Sequence, residues 1–147
     1  MVDEQILCNL IQLAGLAQIV LVLGSLAIPK MLHWREELSK TNVLIKQMFW
    51  TYAGYILVIN LSFGIISIIG VKELLNGSFL AKVINLFIAV YWISRILIQF
   101  FYFDTSAAPK GFIYKLGEII LVAVFLFLAI AYSLAFLFNI TEWEFSI

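Results

Sequence analysis

The chain has 147 residues, of which 64% are hydrophobic and only 12% are charged. A water-soluble domain is about half apolar and about one quarter charged, so this composition excludes an ordinary soluble protein and predicts a membrane protein. Nine basic residues balance nine acidic ones. The chain therefore has no excess of positive charge for binding nucleic acid and no net charge that would select an acidic partner.

Metal and cofactor sites are limited by the single cysteine, Cys8, and the single histidine, His33. One cysteine cannot form an intramolecular disulfide, and one Cys with one His cannot complete a structural zinc site or a bis-histidine haem site. His33 stands beside Trp34 with no serine or cysteine nucleophile near it in the sequence, so we interpret it as an interfacial residue. The sequence predicts no metal, no cofactor and no assigned catalytic residue.

The first uncharged run covers residues 5–29. A helix needs about 20 apolar residues to cross the roughly 30 Å hydrocarbon layer of a membrane, so the run predicts a transmembrane helix over residues 5–28. Asp3 and Glu4 precede it, whereas a signal peptide carries positive charge at this place. We therefore expect the helix to be retained in the mature protein.

The connection after this helix contains an amphipathic segment over residues 30–39. Its apolar residues recur at helical spacing and predict one face that lies along the membrane surface: Met31, Trp34 and Leu38. We interpret the segment as an interfacial anchor. An anionic-lipid or docking site is the alternative, although Glu36 and Glu37 dilute the basic charge that such a lipid site requires.

Three further spans follow, over residues 47–71, 79–103 and 113–140, each long and apolar enough to cross the hydrocarbon layer. Asn76-Gly77-Ser78 predicts a tight turn between the second and third spans. A short loop that contains Pro109 separates the third from the fourth. The predicted fold class is all-α: a polytopic integral membrane protein whose residues 1–147 form one domain, with four transmembrane helices in an antiparallel bundle.

Lysine and arginine concentrate on one side of the predicted spans. Six lie in the connections at 29–46 and 104–115, whereas the opposite side carries only Lys72 and Lys82. Short loops rich in Lys and Arg remain in the cytoplasm. The sequence therefore predicts an integral protein of the cell (inner) membrane with both termini outside the cytoplasm.

Arg95 is unusual because it lies inside the third predicted span. A charged side chain in a membrane helix is costly unless it faces protein, water or a partner. At about 1.5 Å per residue from the cytoplasmic helix ends, Arg95 is about 12 Å deep and Glu118 about 9 Å deep. The sequence thus predicts a buried Arg95–Glu118 ion pair, with Lys115 as a competing partner for the carboxylate.

Other polar residues are expected near the same depth. Gln99 lies one turn from Arg95, Gln18 lies in the first span, and Tyr52 and Tyr55 begin the second. These groups either satisfy the donors of the arginine or line a cavity, open to the cytoplasm, that binds an anionic headgroup or substrate. The candidate ligand-binding residues are Arg95, Glu118, Gln99, Tyr55, Tyr52 and Gln18.

Structural polar residues are predicted in the outer parts of the spans. Asn60 and Asn85 are positioned to form hydrogen bonds between helices. In the fourth span, the motifs Ala129-x-x-x-Ser133 and Ala131-x-x-x-Ala135 permit close helix packing, within the bundle or between copies.

Three functions are compatible with these features. The first is a non-enzymatic accessory or assembly subunit, which the short loops and the absence of an identifiable nucleophile favour. The second is a lipid or small-anion binding protein or transporter that uses the polar cluster. The third is a membrane enzyme acting on a lipophilic substrate. The predicted partners are the lipid bilayer and either further copies in a homo-oligomer or another membrane protein, but not nucleic acid.

Overall fold

A computed structural model describes residues 3–103 and 111–144. For residues 142–144 it describes the backbone alone. Within those ranges every regular element is a helix, which confirms the all-helical prediction. In chain order the helices are α1 (Glu4–Ser25), α2 (Ile28–Met31), α3 (Trp34–Ser39), α4 (Val43–Ile69), α5 (Val71–Leu74), α6 (Phe79–Phe101) and α7 (Phe112–Glu144).

Four helical segments are long and apolar enough to cross a membrane: Glu4–Met31, Val43–Ile69, Phe79–Phe101 and Phe112–Thr141. They correspond to the four predicted spans. α4 begins four residues earlier than predicted because the side chain of Asn42 accepts a hydrogen bond from the Leu44 N–H and caps the helix. The basic connection around Lys110 lies outside the described residues.

The predicted segment over residues 30–39 is not one continuous helix. α2 ends at Met31, and His33 adopts a left-handed backbone with φ of 51° before α3 begins. This break removes the single helical face that the apolar spacing predicted. The Trp34 ring instead packs edge-on against Phe49 and Trp50 of α4, with centroid distances of 5.0 and 6.3 Å.

The long helices associate as two pairs. α1 packs mainly on α4 and α6 packs mainly on α7, and the pairs meet where α1 contacts α7. Gly15 of α1 and Gly64 of α4 mark a close approach, because a Cβ built at Gly15 would lie 2.8 Å from the Gly64 carbonyl oxygen. The alanine-rich face of α7 also lies inside this bundle, with Ala131 and Ala135 fully buried.

The buried residues of α4, α6 and α7 are confined to one half of the bundle, whereas those of α1 extend from Leu7 to Val22. Those of α4 lie between Asn60 and Ser67 and those of α6 between Ala81 and Trp92. None of the residues 43–59, 93–101 and 112–124 is buried. We call the half with the buried residues the closed half, and we call these three stretches, with the adjacent end of α1, the open half.

Candidate functional site

The Tyr132 hydroxyl is the centre of a hydrogen-bond network in the closed half. It accepts a 2.6 Å hydrogen bond from Gln18 Nε2 of α1 and shares a 2.5 Å hydrogen bond with Ser67 Oγ of α4. All three side chains are fully buried. In a membrane each of these groups would lack water as a partner, so the network joins three helices by satisfying polar groups internally.

A second network holds the connection between α5 and α6. The Leu74 carbonyl oxygen accepts hydrogen bonds from Asn85 Nδ2 at 2.7 Å and from Asn139 Nδ2 at 2.8 Å. Asn139 Oδ1 also accepts from the Gly77 N–H at 2.8 Å. These contacts fasten the connection to α6 and α7, which is a structural role.

Sequence reasoning missed the α7 residues of both networks. Tyr132, Ala135 and Asn139 are spaced to share one face of α7, so two polar residues interrupt a strip of small residues that is buried against neighbouring helices. Such a face combines small residues, which allow close packing, with polar residues, which form hydrogen bonds. This pattern indicates contacts between helices and could have identified Tyr132 and Asn139.

The predicted Arg95–Glu118 ion pair is wrong. Within the described residues these two side chains form no ion pair. The half-buried Arg95 guanidinium lies 5.6 Å from the centroid of the Phe125 ring, whereas the exposed Glu118 accepts a 3.5 Å hydrogen bond from Gln99 Nε2. The arginine is therefore stabilised by the face of an aromatic ring.

The remaining predicted site residues do not assemble around Arg95. Gln18 belongs to the Tyr132 network in the closed half. Tyr52 and Tyr55 are 58% and 62% exposed on α4. Asn60 is buried, but its Oδ1 has no hydrogen-bond partner among the described residues. The sequence predicted one polar cluster of six residues. The structure instead contains two separate polar regions, the hydrogen-bond networks of the closed half and the polar residues of the open half.

The open half contains a groove between α1, α2 and the beginning of α7, with a volume of about 1040 Å³. Its walls are apolar side chains along most of its length, including Leu13, Val20 and Leu121. Polar side chains also line it, and most belong to the beginning of α7 or the facing end of α6: Ser25, Gln99, Tyr114, Lys115 and Glu118. The groove is amphipathic and includes two of the predicted site residues, Gln99 and Glu118.

The described residues contain no group of three or more His, Cys, Asp or Glu side chains that would hold a metal ion. His33 is exposed at the beginning of α3. Cys8 is half-buried on α1 as a free thiol. The amphipathic groove is the feature of the open half with the size and the mixed polarity of a ligand site.

Comparison of the chain with protein-family models, curated proteins and solved structures gave no match in any of the three.

Proposed function

We propose that this chain is a small four-helix membrane protein that binds a membrane lipid in the groove between α1 and α7. The observation that supports this proposal is the order of polarity along the groove, with apolar walls over most of its length and charged residues toward one end. A phospholipid has the same order, with its acyl chains attached to a charged headgroup.

The length of the groove fits one leaflet of a membrane. Its α1 wall extends from Leu13 to Ser25, which is about 18 Å at the helical rise of about 1.5 Å per residue. One leaflet contributes about 15 Å to the hydrocarbon layer. The groove therefore accommodates the acyl chains of a lipid from a single leaflet.

The polar end lies at the expected depth of a headgroup. The 30 residues Phe112–Thr141 form about 45 Å of helix, about 15 Å more than the hydrocarbon layer requires. With that excess shared between the two ends, about 7 Å of α7 projects beyond the hydrocarbon at each side. Lys115 and Glu118 are about 4.5 and 9 Å from the start of α7, on either side of this boundary.

The charges at the polar end favour a zwitterionic headgroup. Lys115 supplies a cation for a phosphate and Glu118 supplies an anion for an amine, and both line the groove. Gln99 orients the carboxylate through its hydrogen bond to Glu118. A phospholipid with both a phosphate and an amine, such as phosphatidylethanolamine, matches this pair of charges better than a lipid with a phosphate alone.

Photo-crosslinking from the groove tests this function. A p-benzoylphenylalanine placed at Ile120, which lines the groove, is expected to form adducts enriched in a zwitterionic phospholipid. Ile130 is the matched control, because it is similarly exposed on α7, 57% against 54%, and does not line the groove. Mass spectrometry of the adducts in native membranes measures both compositions, and equal lipid compositions at the two positions would contradict the proposal.

An accessory or assembly subunit is the second candidate. The open half favours it, because long apolar stretches of α4, α6 and α7 have no buried residue within the chain and offer surface to a helix of another membrane protein. In that case the crosslinker at Ile120 would join the chain to another polypeptide and increase its mass by thousands of daltons. A lipid adduct would add far less mass to this 16.7 kDa chain than a second polypeptide would.

We propose further that the open half faces the cytoplasm, as the distribution of lysine and arginine predicts. A thiol introduced as Ser39→Cys in a Cys8→Ser background is expected to resist a membrane-impermeant maleimide in intact cells and to react after the cells are opened. The matched Lys72→Cys variant is expected to react in intact cells, since Lys72 is exposed on the opposite side. The reverse labelling pattern would show that the topology is inverted.

A further inference from the structure

A second cavity lies at the surface between α3 and α4, separate from the α1–α7 groove. It has a volume of about 580 Å³ and is lined by Arg35, Lys46 and Trp50. Two cations and one aromatic ring therefore share one cavity, and among the described residues no carboxylate lines it. This arrangement suits a bound anion, because two positive groups face the same space and the described lining residues supply no negative charge.

The position of Arg35 is fixed by aromatic packing. Trp34, the residue before it, packs on Phe49 and Trp50, and these two rings also meet edge-on at 5.9 Å. The left-handed backbone of His33 turns the chain so that α3 lies against the beginning of α4. The contacts bring Arg35 to Lys46, eleven residues away in the sequence, and form the cavity before any ligand binds.

The acidic residues of the connection do not neutralise this cavity. Glu37 forms an ion pair with Lys40 at 3.6 Å, and Glu36 does not line the cavity. In this ion pair the negative charge of Glu37 is balanced by Lys40, which lies on the same segment. Arg35 and Lys46 are the basic residues that remain directed to the same cavity.

We propose that Arg35 and Lys46 bind the phosphate of an anionic phospholipid. α4 has 27 residues and is about 40 Å long, so about 5 Å projects beyond the hydrocarbon layer at each end. Lys46, about 4.5 Å from the start of the helix, therefore lies at the boundary of the hydrocarbon layer, from which its long side chain extends outward to the lipid phosphates. Trp50 is one turn deeper and 36% exposed, the place that tryptophan prefers at a membrane interface.

The lipid chemistry expected here differs from that of the groove. The groove has one cation and one anion at its polar end, whereas this cavity has two cations. A headgroup with a net negative charge, such as phosphatidylglycerol, satisfies both cations, and a zwitterionic headgroup places an amine against them. The two sites share no residue, so either one can be disproved without the other.

Competition between lipids in native mass spectrometry tests this site. The purified chain is offered equal amounts of phosphatidylglycerol and phosphatidylcholine, and its preference is the ratio of the two lipids bound. Because the α1–α7 groove is the same in every variant, a change in this ratio reports on the Arg35–Lys46 cavity, which is expected to bind phosphatidylglycerol. The Arg35→Gln and Lys46→Gln substitutions are each expected to reduce the preference about fivefold, because a basic residue near an anionic surface contributes a factor of this size. The charge-conserving Lys46→Arg variant should retain the preference.

Lys40→Gln is the matched control, because Lys40 lies on the same connection and is already paired with Glu37. It is expected to change the preference less than twofold. The proposal is overturned if the double variant Arg35→Gln/Lys46→Gln keeps the full preference or if Lys40→Gln removes as much of it. Displacement of phosphatidylglycerol by millimolar inorganic phosphate would show that the cavity binds free phosphate and would overturn the lipid assignment.

Discussion

The Gly15→Ala substitution is expected to destabilise the fold by about 1–3 kcal/mol, the usual cost of overpacking a well-packed contact. The added Cβ would lie 2.8 Å from the Gly64 carbonyl oxygen and 3.0 Å from Ser67 Cβ. A backbone oxygen cannot rotate away as the end of a side chain can, so α1 and α4 would have to separate. Their separation would also stretch the hydrogen bonds of the Tyr132 network, which joins the same two helices to α7.

Each helix supplies its own control for this prediction. A Cβ at Gly24 of α1 or at Gly54 of α4 meets no atom within 4 Å. Alanine at these positions is expected to raise stability by about 0.5–1 kcal/mol, because glycine loses more conformational freedom than alanine when it enters a helix. Unfolding by SDS in mixed micelles measures all of these variants. Equal effects of Gly15→Ala and Gly24→Ala would show that α1 and α4 do not approach each other closely at Gly15.

The positions of the long helices were predictable because charges interrupt the apolar sequence. A charge in the hydrocarbon layer is costly, so long apolar runs with few or no charges located four helices to within a few residues. The beginning of α4 was less predictable, since it depends on a capping side chain at Asn42 and not on hydrophobicity.

The Arg95–Glu118 prediction failed because residue counting fixed the depth of each side chain but not the register between the helices. The prediction assumed that α6 and α7 end at the same level beside their connection. In the structure Gln99 meets Glu118, and Arg95 meets Phe125, which lies about two turns further along α7 than Glu118. The composition of the connection contained no information about this offset.

The polar groups of the closed half were only partly predictable. Asn85 was recognised because an amide in an apolar span needs a partner. Its partner, the Leu74 carbonyl, belongs to the end of the short helix α5, and periodicity does not reveal which carbonyl is left over at a helix end. Glycine contacts such as Gly15 with Gly64 are similarly hidden, because they depend on which faces of the two helices meet.

Asn85 and Asn139 both donate to the Leu74 carbonyl oxygen. We therefore expect replacement of both asparagines to lower stability by more than the sum of the two single substitutions. Asn139→Leu removes one donor to this carbonyl and the acceptor of the Gly77 N–H. We expect a loss of about 1–3 kcal/mol from that unsatisfied N–H. Asn85→Leu alone is expected to cost less, since Asn139 still donates to Leu74 and the substitution also removes the Asn85 Oδ1, which has no partner among the described residues.

With both asparagines replaced, the carbonyl oxygen of the nearly fully buried Leu74 loses both of its side-chain donors. A stranded buried acceptor costs about 1–3 kcal/mol, so the coupling energy between the two substitutions is expected to be of that size and unfavourable. Asn9→Leu, an exposed asparagine of α1, serves as the control and should change stability by less than about 0.5 kcal/mol. A double-mutant cycle on SDS unfolding measures the coupling. Additive losses would mean that the two amides act independently and that Leu74 does not depend on them jointly.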